Sequence, residues 1–189
     1  MSLQNFNIDR DWTLFLDRDG VINRRIVGDY VKHWEQFEFL PGVVEAICKF
    51  SSIFGKIIVV SNQQGVGKGL MTENEVNEIH RKMIEEIVEN GGRIDAVFFS
   101  PYLESAGSII RKPGIGMALR ARKQFPQINF RKSLIAGDSL SDMLFGKRVG
   151  MKTVFLSDDP APAKKNHRLI DFCYSDLKAL AESFHHFHN

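Results

Sequence analysis

Five short apolar runs rich in β-branched and aromatic residues, at positions 12–16, 56–60, 94–99, 133–136 and 152–156, alternate with longer stretches of helical periodicity. The clearest helical stretch places Val76, Ile79, Met83, Ile87 and Val88 on one face behind Thr72, a good N-cap residue. Strands this apolar are expected to be covered on both faces. The alternation therefore predicts a doubly wound, Rossmann-like α/β fold, with a mostly parallel sheet between two layers of helices. Ligands of such sheets bind beyond the carboxyl ends of the strands. Those positions hold Asp17, Ser61 and Asp138.

With 189 residues, 43% of them hydrophobic, the chain suits one core, and residues 1–189 are expected to form a single domain. Lys and Arg number 25 against 23 Asp and Glu, and they are scattered rather than gathered into a stripe that would follow a nucleic-acid backbone. No apolar run approaches the roughly 20 residues that span a bilayer, and the N-terminus lacks a signal-peptide core, so a cytoplasmic location without membrane or nucleic-acid partners is expected. Cys48 and Cys173 lie far apart in apolar segments and read as reduced, packed thiols. Residues 158–165, with Pro160 and Pro162, read as one loop, and His185, His186 and His188 as a polar tail rather than a chelating site.

Four segments carry chemistry. Leu16-Asp17-Arg18-Asp19-Gly20 sets two carboxylates two apart where a strand ends. Both face one crevice if the chain stays extended, and a turn at Gly20 adds backbone carbonyls, a hard-oxygen set suited to magnesium. Val60-Ser61-Asn62-Gln63-Gln64-Gly65 offers a hydroxyl and backbone donors for phosphate oxygens. Arg111-Lys112-Pro113 places two cations before a proline positioned to start the helix through Met117 and Leu119. Ala136-Gly137-Asp138-Ser139-Leu140-Ser141-Asp142 returns a strand-end carboxylate and a second one a turn later. Each segment alone has an ordinary explanation: a polar turn, a glycine-rich loop, a solvated charge pair, a helix N-cap at Asp138 or Ser139. Their occurrence together, in the order acid pair, hydroxyl, lysine, acid pair at successive strand ends, is far harder to explain that way. Gly65-Val66-Gly67-Lys68-Gly69 lacks the Ser or Thr and the glycine spacing of a nucleotide-binding loop.

These four segments resemble the motifs of the haloacid dehalogenase (HAD) superfamily of phosphotransferases. Asp17-Arg18-Asp19-Gly20-Val21-Ile22-Asn23, Phe37-Glu38-Phe39-Leu40-Pro41-Gly42-Val43, Ser61-Asn62-Gln63-Gln64-Gly65 and Arg111-Lys112-Pro113 are similar to the branch of heptose bisphosphate and histidinol-phosphate phosphatases, which lacks a large cap domain. The resemblance implies a magnesium-dependent phosphatase in which Asp17 attacks phosphorus to form an aspartyl phosphate, and Asp19 protonates the leaving alcohol and then activates water. It implies that Ser61 and Lys112 hold the phosphoryl oxygens, and that Asp142 orients Lys112. Magnesium would be bound by the Asp17 and Asp138 carboxylates and the Asp19 carbonyl. Substrate contacts are expected at Val27, Gly28, Asp29, Tyr30, Asn62, Gln63, Gln64, Arg111 and Ser139.

One departure bears on the substrate. Many members of that branch hold a structural zinc with Cys-x-His and Cys-x-Cys pairs, where this chain has Ser100-Pro101-Tyr102 and Ile109-Ile110, so no zinc is expected. The expected substrate is a small phosphorylated metabolite, foremost a D-glycero-D-manno-heptose 1,7-bisphosphate, which places the enzyme in carbohydrate metabolism. Histidinol phosphate, a phosphomutase or phosphotransferase reaction, and a phosphoester-binding regulatory module are the alternatives.

Overall fold

The computed structural model of the chain describes Leu3 and residues 6–184, so the three C-terminal histidines lie outside the described residues. Six strands, β1 (Thr13–Leu16), β2 (Lys56–Asn62), β3 (Ala96–Ser100), β4 (Ser133–Gly137), β5 (Lys152–Leu156) and β6 (Phe172–Tyr174), pair in parallel in the order β3-β2-β1-β4-β5-β6. Each of the five anticipated runs falls on a strand, with β2, β3 and β4 reaching one or two residues further. The sixth escaped notice because three residues, one of them the exposed Cys173, are too short to display a period of two.

Alternation along the strands sends side chains to opposite faces. Leu14, Leu16, Ile57, Val59, Leu134, Ala136, Val154 and Leu156 join one cluster with α1 (Val43–Ile53), α3 (Glu73–Glu89) and α7 (Leu177–Glu182). Phe15, Ile58, Val60 and Ile135 join a second with α4 (Gly116–Gln124) and α5 (Leu140–Val149). The doubly wound fold class is therefore the observed one. A short α2 (Gln64–Gly67) follows β2 directly.

Local chemistry sets the helix boundaries. Thr72 caps α3 as expected, its Oγ1 accepting from the Glu75 amide while the Glu75 carboxylate accepts from the Thr72 amide. Val76, Ile79, Met83 and Ile87 are buried, but Val88 is exposed, because it lies a further 100° round from Ile87 and past the edge of the apolar stripe. Pro113 does not start α4: the Gly114 amide turns back to the Arg111 carbonyl, and the helix begins at Gly116 behind Ile115. Met117 is buried there and Leu119 exposed. The segment read as one loop contains α6 (Ala161–Lys165), with Pro160 at its N-cap, where proline's fixed φ and missing donor are tolerated. Both cysteines are free, but Cys173 is exposed rather than packed, and Cys48 donates to the Asn90 carbonyl.

No helix among the described residues is long and apolar enough to cross a membrane. The chain runs β1, β2, β3 outward on one side and β4, β5, β6 on the other, so the order reverses between β1 and β4. At that switch point the strand ends diverge and leave a crevice.

Close helix-to-sheet packing near this crevice depends on Gly146 in α5, where a Cβ would lie 2.3 Å from Ile135 Cγ2 and 3.0 Å from Thr153 Cγ2. Gly146→Ala gains about 1 kcal/mol of helix propensity, but overpacking of this kind costs roughly 1–3 kcal/mol. Because both opposing groups are branched side chains rooted in strands, the expected outcome is net destabilisation, read as a lower urea midpoint with unchanged m-value.

Candidate active site

β1 ends at Leu16, and Asp17 continues in register, its amide donating to the Ala136 carbonyl of β4 at 3.0 Å. The chain then turns tightly, with the amides of Val21, Ile22 and Asn23 all returning to the Arg18 carbonyl. Gly20 makes this turn possible on two grounds. Its φ is +91°, and a Cβ there would lie 2.1 Å from Asp138 Oδ2.

Lys112 is the centre of the site. Its buried ammonium lies 2.8 Å from Asp17 Oδ1, 2.6 Å from Asp142 Oδ1 and 2.7 Å from the Val60 carbonyl, so all three donors are satisfied. Asn62 fixes the lysine's backbone from both sides, accepting from the Lys112 amide at 2.9 Å and donating to its carbonyl at 3.0 Å. Asp142 does two tasks. Oδ1 meets the lysine, while Oδ2 accepts from the Ser139 hydroxyl and amide in the capping box that starts α5. The Ser139 cap and the Asp142–Lys112 ion pair thus coexist in this segment.

Asp17 Oδ1 also accepts from the Arg18 amide at 2.7 Å. Burial pushes the Asp17 carboxyl up to about 7, against the pull of Lys112 and with the help of Asp142 and Asp138. Asp19 goes the other way. Burial raises it, but Arg18, which meets both its oxygens at 2.9 Å, and donors from Asn23 at 3.0 Å and Gln63 at 2.6 Å together hold it below the usual carboxylate range. Arg18 is itself fully buried and donates to His80 Nε2 at 3.1 Å. Burial and the guanidinium depress His80 to about 3, so the imidazole is neutral and its Nε2 is the acceptor. Burial raises Asp138, with Arg25 opposing.

A crevice of about 470 Å³ opens over these groups, lined among others by Asp17, Asp19, Ser61, Lys112 and Ser139. Of the expected substrate contacts, Gly28, Asp29, Tyr30, Asn62, Gln64, Arg111 and Ser139 line it. Two do not. Val27 is 94% exposed at the tip of its loop, and Gln63 is completely buried, its amide donating to Asp19 and to Ser61 Oγ instead. A period-two reading of residues 61–64 cannot foresee this, since the strand passes directly into α2 and the alternation ends. The sequence reading also missed Arg25, Lys68 and Ile26, which line the crevice from loops without periodicity.

Carboxylate oxygens of Asp17, Asp138 and Asp142 lie within 4.8 Å of one another. These hard donors fit magnesium. A cationic group already meets one of these carboxylates: Arg25 Nη2 donates to Asp138 Oδ1 at 2.8 Å, and also to the Asp19 carbonyl at 2.9 Å.

A family model described as polynucleotide kinase 3 phosphatase matches residues 5–187. The D-glycero-alpha-D-manno-heptose-1,7-bisphosphate 7-phosphatase of Mycobacterium bovis is 46% identical over 132 residues, 70% of this chain and 70% of that protein. The D-glycero-beta-D-manno-heptose-1,7-bisphosphate 7-phosphatase of Pasteurella multocida is 32% identical over 177 residues, 88% of this chain and 95% of that one. A crystal structure of the D,D-heptose 1,7-bisphosphate phosphatase of B. bronchiseptica, complexed with magnesium and phosphate, superposes with a TM-score of 0.81 at 27% identity, covering 90% of this chain and 96% of that chain.

Removing Lys112 would strand two buried carboxylates, so Lys112→Met is expected to destabilise the protein by about 3 kcal/mol. Adding Asp142→Leu should restore part of this, because it removes one of the unpaired charges. Denaturant unfolding of both single variants and the double variant in EDTA measures the coupling.

Proposed function

Since the chain belongs to the polynucleotide kinase 3 phosphatase family of HAD-type phosphatases, we propose that it acts as one domain on the C7 phosphoester of a heptose 1,7-bisphosphate, through an aspartyl phosphate on Asp17. The observation that carries this reading is Asp17 at the β1/β4 switch point, with Lys112 against one oxygen and Asp138 and Asp142 beside it. The names of relatives matched over most of their length supply the sugar.

Asp17 Oδ1 is engaged by Lys112 and the Arg18 amide, and no described residue donates to Oδ2, which supports Oδ2 as the oxygen that attacks phosphorus. Lys112 and the Ser61 hydroxyl take the phosphoryl oxygens as negative charge spreads over them. Lys112 does so by exchanging one of its three acceptors, which keeps the ammonium satisfied throughout. Magnesium would be held by the Asp17 and Asp138 carboxylates and the Asp19 carbonyl, and would supply positive charge that keeps Asp17 ionised beside an anionic ester. Asp19, aimed into the same crevice by Arg18, Asn23 and Gln63, gives a proton to the leaving C7 oxygen and later takes one from water. It rests ionised, so the proton arrives with the substrate, whose negative charge raises the carboxyl.

Arg111 and Lys68 line the crevice, and neither pairs with a carboxylate among the described residues. They provide for a second anion, the C1 phosphate. A guanidinium is suited to bidentate phosphate contact.

Asp17→Asn is expected to abolish magnesium-dependent phosphate release while leaving the thermal transition in place. Asp19→Asn should give a phosphorylation burst without turnover on an activated aryl phosphate, where the leaving group needs no proton; equal steady-state rates for wild type and Asp19→Asn on an alkyl phosphate would remove Asp19 from the acid/base role.

For the substrate, Arg111→Ala should lower kcat/KM about 10- to 100-fold more on the heptose bisphosphate than on an aryl phosphate, the range expected for one charge-assisted hydrogen bond. Equal losses on both would refute a second-phosphate role. A higher kcat/KM on histidinol phosphate or a 3′-phosphorylated oligonucleotide than on either anomer of the heptose bisphosphate would overturn the substrate assignment.

A further inference from the structure

Arg25 lies in the loop after Asn23, outside every motif, and its side chain is 50% exposed. One nitrogen, Nη2, bridges the Asp19 carbonyl and Asp138 Oδ1, two of the three groups that the proposed function gives to the divalent cation. Nitrogen and ion would lie between the same two oxygens, and two like charges do not occupy that space together. We infer that Arg25 is an internal competitor for the cation: guanidinium and ion hold the position alternately, and entry of the ion releases Arg25 into the crevice toward an anionic substrate. This inference rests on the cation site of the proposed function.

The charges explain why a placeholder is needed. Asp17 and Asp142 share the ammonium of Lys112, Arg18 is engaged by Asp19, and Asp138 lies beside the first two carboxylates without a contact to that lysine. Among the described residues Arg25 is the cation paired with Asp138, and it offsets the negative charge gathered there. It differs from Arg18 in the respect that matters for exchange. Arg18 is fully buried behind Asp19, whereas Arg25 is half exposed and withdraws without opening the core.

Gly20 leaves room for Asp138: a Cβ there would lie 2.1 Å from its Oδ2, and at 3.5 Å would only touch Arg25 Nε. Once released, the side chain stays in the crevice that it already lines with Lys68 and Arg111, where a phosphoryl group is its natural acceptor. Cation and substrate are then linked: the ion works against Arg25 when alone, and less so once an anion receives the guanidinium. By reciprocity, the ion strengthens anion binding by the same factor.

The test is calorimetric titration of magnesium into the full chain, with and without inorganic phosphate. Without phosphate, Arg25→Gln should bind magnesium about tenfold more tightly than wild type, within the usual span of such couplings. Phosphate should tighten magnesium binding more in wild type than in Arg25→Gln. Arg25→Lys, which keeps the charge but loses the planar fork, should fall between. In EDTA, Arg25→Gln should melt below wild type, and magnesium should raise its Tm by the larger amount. Arg24→Gln controls for net charge, since Arg24 pairs with Glu38 on the surface at 2.9 Å, and should bind magnesium as wild type does. Unchanged or weaker affinity in Arg25→Gln, or an equal gain in Arg24→Gln, overturns the inference while the cation site stands. If wild type takes up no magnesium, the cation site falls and the inference with it.

Discussion

A lysine ammonium carries three protons to donate, and burying one is tolerable only when all three find acceptors and its charge finds a counter-ion. Lys112 meets both conditions with acceptors from three different elements: the Val60 carbonyl inside β2, Asp17 at the end of β1 and Asp142 in the first turn of α5. Its own backbone is clamped by Asn62. One cation therefore holds four segments, distant in sequence, in a single arrangement. Displacing any of them leaves a charge or a carbonyl unpaired in the core, so the geometry of the crevice and the integrity of the sheet's centre are one constraint.

Around that lysine, two carboxylates only two residues apart are driven in opposite directions. Asp17 is raised to about 7 because burial and two neighbouring acids outweigh its share of Lys112. Asp19 is lowered because a dedicated arginine and two amides outweigh its burial. A nucleophile must be ionised and an acid protonated, so the roles proposed for the two need a cation to lower Asp17 and an anionic ester to raise Asp19. Arg18 reaches its effect on Asp19 only because His80, from α3, accepts one of its protons as a neutral imidazole, so the face of a helix on one side of the sheet helps to set the charge of a group in the crevice.

Much of this was legible in the chain. Asp17, Ser61 and Asp138 each emerge at the carboxyl end of a strand, where the strand-end rule places them, whereas Lys112 comes from the loop between β3 and α4. The Thr72 cap and the buried stripe of α3 were equally plain, up to Val88. The misplacements share a cause. Val27 and Gln63 lie where regular structure stops: in a loop, one residue can face away while its neighbours line the crevice, and at the junction of β2 and α2 the amide turns inward to Asp19. Arg25, Lys68 and His80 went unnoticed because a long side chain reaches its partner through space, with no mark in the local pattern.

By itself the sequence determined the five longer strands and the capped, striped helix α3, and the order in which acid pair, hydroxyl, lysine and second acid pair follow along the chain, because periodicity and residue type act over a few neighbours. Tertiary structure decided the rest. The reversal of strand order between β1 and β4 brings Asp17 and Asp138 side by side although 120 positions separate them in the numbering. Packing around Lys112 decides which oxygens remain for a cation, and the path of the loop after Asn23 carries Arg25 onto two of them. Those outcomes depend on distances across the sheet and on the few side-chain arrangements in which every buried charge is paired, and no local pattern encodes either.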